Sequence, residues 1–228
     1  MTHWNRKDQR NEFCKKDIDS LPRREYFRHY MDNVRCTYSM TINVDITGLY
    51  NRTKEKQLRL HPVLLWWISE AVNSFEFMRW GTDEEGNVGV YTVSSPSFTV
   101  MGKGRENFNV LHCPYSADFN DFYNRCKDII DKNAGSPAMN PIGPAPAGSF
   151  DISAIPWARF TAFELNLYTS GSWMAPIITT GKLIKEADKV SLPFNIKVHH
   201  RVCDGAHLGK FFAHLEESAR HADSWMNV

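Results

Sequence analysis

The segment Leu192–Gly205 reads LPFNIKVHHRVCDG and combines a strand, a turn and the start of a helix. Successive side chains of an extended strand point to opposite faces. One face then holds Phe194, Ile196, Val198 and His200, and the other holds Asn195, Lys197 and His199. Aspartate is a preferred cap at a helix N-terminus, so Asp204 predicts a helix that starts near it. The apolar face of that helix is formed by Leu208, Phe211, Phe212 and Leu215.

The same patterns predict the elements on either side of this segment. Polar and apolar side chains alternate from Cys36 to Ile46, which is typical of a half-buried strand. Further strands are predicted at 88–93, 97–101, 150–154, 159–166, 174–181 and 190–200, and further helices at 22–31, at 118–131 and from Pro62. This mixed order of helices and strands predicts an α/β or α+β fold.

Length and composition favour one globular domain over residues 1–228. Apolar residues make up 42% of the chain and charged residues 23%, which excludes a disordered protein. Residues 1–20 are polar and are predicted to form a loose N-terminal arm. The stretch 135–149 is rich in proline and glycine, and it is interpreted as a surface loop, with a domain linker as the alternative.

Charge and cysteine content exclude several partners and compartments. Lys and Arg number 27 against 26 Asp and Glu, which leaves no basic surface for nucleic acid or an anionic membrane. The five cysteines are scattered without a CxxC pair, so neither a disulfide framework nor a zinc ribbon is indicated. The first residues are charged where a signal peptide is apolar, and the apolar run Val63–Ile68 is too short for a membrane span. A cytoplasmic protein is therefore expected.

His200 is the first candidate for a catalytic side chain. It falls on the apolar face of its strand, where a partly desolvated imidazole suits a general base. A satisfied core histidine is the structural alternative, and helix capping alone explains Asp204. A metal site of His199, His200, Asp204 and His207 is disfavoured, because adjacent strand residues diverge to opposite faces.

The motif His199–Gly205 resembles the HHxxxDG signature of the chloramphenicol acetyltransferase family, which dihydrolipoyl acyltransferase catalytic domains share. Other segments that match the family in order and spacing are Pro22–Glu25, Cys36–Tyr38, Phe98–Val100, Cys113–Tyr115, Ile152–Trp157 and Ala175–Thr179. The resemblance covers nearly the whole chain. It implies a two-layer α/β sandwich, in which helices cover a mixed β-sheet, and a homotrimer with active sites between subunits.

The resemblance also implies an acetyl-CoA-dependent O-acetyltransferase whose expected acceptor is chloramphenicol. His200 is then the general base that takes the proton of the acceptor hydroxyl, and the hydroxyl oxygen attacks the thioester directly. Ser153 is expected to donate to the oxyanion, and Thr179 to hold the intermediate through water. Asp204 is expected to form a buried ion pair with Arg23 and so to support the histidine turn.

Binding residues follow from the same resemblance. The acetyl-CoA side is expected to contain Arg59, Lys182 and Trp157, and the acceptor side Tyr30, Cys36 and Phe108. Acetyl-CoA is expected as a co-substrate, with no permanently bound cofactor and no metal. Leu183 departs from the family pattern next to Lys182, so CoA recognition is expected to be kept but weaker. The loop 135–149 departs from it on the acceptor side, so a raised Michaelis constant for chloramphenicol is expected.

Two other classes of function are alternatives. One is an acyltransferase of the same fold with another hydroxyl acceptor, including a dihydrolipoyl acyltransferase core, although the chain shows no lipoyl-type segment. The other is a catalytically silent binding protein, which the retained His200, Ser153 and Arg23 disfavour. A phosphate-binding loop at Lys182 is excluded and a serine hydrolase elbow at Ser153 is disfavoured, because the flanking residues of both motifs are missing.

Overall fold

The computed structural model describes residues 11–102, 104–168 and 173–227. The strands in these ranges are β1 (Phe13–Lys15), β2 (Thr37–Asp45), β3 (Trp80–Thr82), β4 (Val88–Tyr91), β5 (Pro96–Met101), β6 (Phe108–His112), β7 (Phe150–Ala154), β8 (Ile177–Thr180), β9 (Ile184–Glu186) and β10 (Lys189–His199). The helices are α1 (Arg24–Arg28), α2 (Thr47–Glu55), α3 (Leu60–Ser74), α4 (Phe119–Asn133), α5 (Gly205–Arg220) and α6 (Ala222–Trp225).

The main sheet is mixed, and its strands follow the order β2-β10-β8-β7-β5-β6. The β5–β7 and β7–β8 pairs are parallel, whereas β10 pairs antiparallel with β2, β8 and β9. A smaller antiparallel sheet has the order β1-β4-β3. This mixed sheet with its helices confirms the predicted fold class.

Helices cover one face of the main sheet, and their apolar side chains form the core. Phe194 of β10 contacts Trp67 of α3 and Phe211 of α5, with ring centroids 6.4 and 6.3 Å apart. All three side chains are almost completely buried. The residues of α3 are buried on nearly every side, because this helix lies between the sheet, α4 and α5. The predicted apolar face of α5 therefore lies in the core, together with the buried residues of α3 and α4.

The opposite face of β10 is covered by a segment without regular structure, which replaces the strand predicted at 159–166. Asn195 Nδ2 donates to the carbonyl oxygen of Phe163 at 2.9 Å, and the buried Lys197 ammonium pairs with Glu164. The segment thus crosses over β10 instead of pairing along a strand edge. The prediction of a strand at 159–166 is wrong for this reason.

One further sequence prediction needs correction. The loose arm predicted over residues 1–20 is wrong where the structure describes it, because β1 pairs with β4 and Ile18–Ser20 forms a 3-10 turn. Residues 1–10 of that arm lie outside the described residues. The strands predicted at 88–93 and 97–101 are present as β4 in the smaller sheet and β5 in the main sheet. The stretch 135–149 is a loop, as predicted.

Candidate active site

The turn between β10 and α5 is held by hydrogen bonds at both ends. The backbone N–H groups of Val202 and Cys203 donate to the carbonyl oxygen of His199, at 3.2 and 3.1 Å. At the other end, the Asp204 carboxylate accepts from the N–H groups of Ala206 and His207 and caps α5. Capping satisfies backbone donors that the helix itself leaves free. The predicted capping role of Asp204 is therefore confirmed.

The His200 side chain lies at the end of β10 between two tyrosines. Its ring stacks on Tyr30 at a centroid distance of 4.2 Å and an interplanar angle of 7°, and it contacts Tyr38 at 5.1 Å and 57°. The backbone N–H of His200 donates to the carbonyl oxygen of Cys36 at 2.9 Å. Tyr30 and Cys36, two of the predicted acceptor residues, thus lie beside the predicted base.

Nδ1 of His200 is buried and has no hydrogen-bond partner among the described residues. The imidazole is therefore oriented by ring packing and by its backbone. In a catalytic triad, by contrast, a carboxylate orients the histidine ring. Tyr38 contributes to this packing but is missing from the predicted site residues. Tyr38 lies opposite Val198 in the β2–β10 register, two residues from His200. Its place in the segment Cys36–Tyr38, which matches the family, is the sequence signal that could have identified it.

The predicted ion pair between Arg23 and Asp204 is present, but the prediction that it is buried is wrong. Nη1 of Arg23 lies 2.5 Å from Oδ2 of Asp204, and the side chains are 35% and 28% exposed. Burial alone raises the pKa of the Asp204 carboxyl. The hydrogen bonds and charges of Arg23 and His207 outweigh it, and the pKa falls to about 2. Arg23 thus ties the start of α1 to the start of α5.

Ser153 and Thr179 lie in a row of polar residues that crosses the middle of the main sheet. Ser153 pairs with Thr179, and Thr179 pairs with Asn195. Thr99 Oγ1 donates to Ser153 Oγ at 3.5 Å, and Asn195 Nδ2 donates to Thr41 Oγ1 at 2.8 Å. Residues directly opposite in a sheet share a face. The hydroxyl of Ser153 therefore belongs to a polar strip on the sheet face away from the helices.

The register separates Ser153 from His200 within one chain. His200 follows Asn195 by five residues, which corresponds to about 16 Å along the strand direction. Ser153 lies two strands away from β10, which adds about 10 Å across the sheet. One copy of the chain therefore brings Tyr30 and Cys36 to His200 but leaves Ser153 and Thr179 elsewhere.

Phe108 also lies far from His200. It begins β6, the edge strand at the opposite end of the sheet from β2, and its side chain is 46% exposed. The loop 135–149 packs along this strand, since Val110 N–H donates to the carbonyl oxygen of Met139 and Asn109 Nδ2 donates to that of Ala138. Met139 is 58% exposed. Phe108 and the loop thus form a second apolar surface at the far edge.

The residues predicted to bind acetyl-CoA fall in two places. Trp157 follows β7 in an exposed turn, and the backbone N–H of Lys182 donates to the carbonyl oxygen of the neighbouring Ala158 at 2.8 Å. Arg59 precedes α3 and pairs with Asp131 of α4, which neutralises part of its charge. No ion pair or hydrogen bond within the described ranges joins Arg59 to Lys182.

The structure describes residues 11–102, 104–168 and 173–227. In these ranges no three His, Cys, Asp or Glu side chains are arranged to share a metal ion. No helix in them is both long enough and apolar enough to cross a membrane.

Comparisons with known proteins agree on one family. The chloramphenicol acetyltransferase family model matches residues 11–216. A chloramphenicol acetyltransferase of Clostridium perfringens is 39% identical over 211 residues, covering 92% of this chain and 96% of the relative. Chloramphenicol acetyltransferase 3 of Escherichia coli is 34% identical over 205 residues, covering 90% and 96%.

Solved structures show the same fold. A chloramphenicol acetyltransferase superimposes with a TM-score of 0.77 at 24% identity, covering 90% of this chain and 99% of that one. The truncated catalytic core of a 2-oxoacid dehydrogenase multienzyme complex from Thermoplasma acidophilum superimposes with a TM-score of 0.62 at 13% identity, covering 87% and 94%. At these identities the likeness concerns the fold alone, and it agrees with the two-layer sandwich expected from the sequence.

Proposed function

The chain belongs to the chloramphenicol acetyltransferase family, and from this premise we propose that it transfers the acetyl group of acetyl-CoA to a hydroxyl of chloramphenicol. Acetyl-CoA is the co-substrate and CoA the product. The observation that carries the proposal is the His200 ring at the end of β10, which is stacked on Tyr30 and in tilted contact with Tyr38. An imidazole held in one orientation at an acceptor pocket is suited to general base catalysis.

The proposed reaction is a direct transfer with His200 as the base. His200 takes the proton of the acceptor hydroxyl while the hydroxyl oxygen attacks the carbonyl carbon of the thioester. The tetrahedral intermediate carries negative charge on the former carbonyl oxygen, to which Ser153 donates a hydrogen bond. Collapse breaks the carbon–sulfur bond, and the CoA sulfur receives the proton from the His200 imidazolium. One oxyanion donor is worth about 2.7–4 kcal/mol in such reactions.

The separation of Ser153 from His200 supports an active site shared between two copies of the chain. In the proposed homotrimer, one subunit supplies His200 with Tyr30 and Cys36. The neighbouring subunit supplies Ser153 and Thr179, together with Phe108. A ring of identical head-to-tail interfaces repeats this arrangement at each contact. The homotrimer thus explains how His200 and Ser153 can serve one active site although they lie far apart within one chain.

The remaining roles complete the proposal. Trp157 and Lys182 are assigned to acetyl-CoA because both are exposed and the Lys182 N–H donates to the carbonyl oxygen of Ala158, the residue after Trp157. Arg59 is assigned there as well, with its pairing to Asp131 expected to weaken its contribution. The proposed compartment is the cytoplasm, which is supported by five cysteines that are all free.

The test is a thiol-release assay with acetyl-CoA and chloramphenicol, run on the purified wild-type protein and on His200→Ala. We expect CoA release that depends on chloramphenicol for the wild type and none above background for the variant. Release with another alcohol but not with millimolar chloramphenicol would contradict the acceptor and leave the acetyltransferase intact. No release with any acceptor would contradict the enzyme and favour a binding protein.

A further inference from the structure

Arg201, the residue that follows His200, is a buried cation in the middle of the turn. Only 4% of the residue is exposed. Its guanidinium carbon lies 5.7 Å from the ring centroid of Phe27 in α1, and Phe27 is itself 2% exposed. A cation over an aromatic face attracts it more strongly when both are shielded from water. Burial and the charge of Arg35 lower the pKa of Arg201 to about 10, with Asp32 opposing, so the side chain stays charged at neutral pH.

The contact with Phe27 is the middle one of three that join α1 to the turn. On one side of it, Arg23 pairs with Asp204 at 2.5 Å. On the other side, Tyr30 in the π-turn after α1 stacks on His200 at 4.2 Å. Phe27 lies between Arg23 and Tyr30 in sequence, as Arg201 lies between His200 and Asp204. The segment Arg23–Tyr30 and the segment His200–Asp204 therefore contact each other at both ends and at one point between them.

The central contact has a consequence for the histidine ring. Nδ1 of His200 has no hydrogen-bond partner among the described residues, so the stack on Tyr30 contributes a large part of what orients the ring. The stack is kept only while α1 and the turn stay at a fixed separation. The ion pair of Arg23 is half-exposed and therefore weak, whereas the Arg201–Phe27 contact is shielded from water.

We propose that Arg201 is a positioning residue that acts through Phe27, holding the turn against α1 and so keeping the His200 ring stacked on Tyr30. The proposal rests on the assignment of His200 as the base in the proposed function. It gives Arg201 no contact with either substrate. Loss of the contact therefore lowers kcat, because the base is less often aligned, and leaves the KM for acetyl-CoA unchanged.

The kinetic test compares Arg201→Met, which keeps much of the volume and removes the charge, with Arg201→Lys, which keeps a cation over the ring. We expect Arg201→Met to lower kcat about tenfold or more with the KM for acetyl-CoA within about twofold, and Arg201→Lys to stay within about threefold of wild type. The matched control is Arg220→Met, an arginine that is 64% exposed and is expected to change neither constant. Equal kcat for Arg201→Met and Arg220→Met would overturn the proposal.

A double-mutant cycle with Phe27→Leu tests whether Arg201 acts through that ring. Residues that act through one contact have non-additive effects, so the double variant is expected to be no slower than the slower single variant. Losses in kcat that multiply would overturn the proposal. If Arg201→Met does not fold, Arg201→Gln takes its place in both comparisons.

The third measurement does not depend on activity. The Hε1 resonance of His200, assigned by its loss in His200→Ala, carries a ring-current shift from Tyr30. We expect it to move toward the value of a free histidine in Arg201→Met and to stay in place in Arg220→Met. An unmoved resonance in Arg201→Met would overturn the proposal. Full turnover by His200→Ala would instead contradict the proposed function. The shift of the His200 resonance would still show whether Arg201 positions the His200 ring.

Discussion

The two adjacent histidines differ in what surrounds their rings. The His200 ring stacks on Tyr30 and contacts Tyr38 at a tilt. His199 is 2% exposed, and its Nδ1 accepts a hydrogen bond from the N–H of Arg201 at 3.3 Å. Only His200 is therefore available to a substrate. His199 is part of the framework of the turn, and its role is structural.

At the residue scale, we predict that His200→Ala lowers kcat by about 10²–10⁴-fold, the contribution of a positioned general base. His199→Ala should lower kcat far less but should lower the melting temperature, because it leaves a cavity in the core. Steady-state rates and thermal denaturation of both variants check this. Near-normal turnover by His200→Ala, with His199→Ala as the slower enzyme, is the outcome that rejects it.

At the scale of elements, Asp204 has two separable functions. Its carboxylate caps α5, and its charge pairs with Arg23. Asparagine caps a helix about as well as aspartate, whereas alanine does not. Asp204→Asn therefore removes only the ion pair, and Asp204→Ala removes the ion pair together with the cap. Since the pair is half-exposed, its loss is expected to cost about 1 kcal/mol rather than the larger cost of a fully buried pair.

The pH dependence of stability follows from the low pKa of Asp204. Its folded-state value of about 2 lies below the ordinary value of 3.8, so the ionised carboxylate favours the folded state. This stabilisation is complete above about pH 5 and is lost as the pH falls toward 2. We predict that the difference in melting temperature between wild type and Asp204→Asn is full at pH 6, is reduced at pH 3 and disappears only as the pH approaches and passes below 2. A constant difference between the two pH values would contradict the pairing, and Asp204→Ala should stay lower at both.

A further prediction at the scale of elements concerns the loop 135–149 and its contact with β6. Met139 and Phe108 are exposed next to this strand, and an aromatic pair adds about 0.5–1.5 kcal/mol beyond its buried area. We predict that Met139→Phe lowers the KM for chloramphenicol by about two- to tenfold at unchanged kcat. Initial rates against chloramphenicol concentration at saturating acetyl-CoA measure this. An unchanged KM would place the loop outside the acceptor site.

At the scale of the whole molecule, the proposed division of the active site can be tested by mixing subunits. His200→Ala and Ser153→Ala each inactivate their own homotrimers, but a mixed trimer has interfaces that combine an intact His200 with an intact Ser153. In a one-to-one mixture refolded together, about a quarter of the interfaces regain both residues. We predict that activity reappears on mixing. A mixture no more active than its components would show that one subunit supplies both residues.

Local patterns in the sequence were sufficient for most helices and strands. The alternation over Cys36–Ile46 predicts β2, the spacing of Phe119, Phe122 and Cys126 predicts α4, and the motif at His199–Gly205 predicts the turn and α5. Periodicity reports which side chains share a face, and capping preference reports where a helix starts. Both are properties of residues close together in the chain, so the sequence by itself determined these elements and the candidate base.

Only the tertiary structure decided which segments pair and which residues meet. Residues 159–166 have a strand-like sequence but pass over β10, while the short segment Phe13–Lys15 becomes a strand because β4 is there to pair with it. The distance from Ser153 to His200 likewise depends on the register of β7, β8 and β10. Strand pairing and register are set by contacts between residues far apart in the chain, which no local pattern contains.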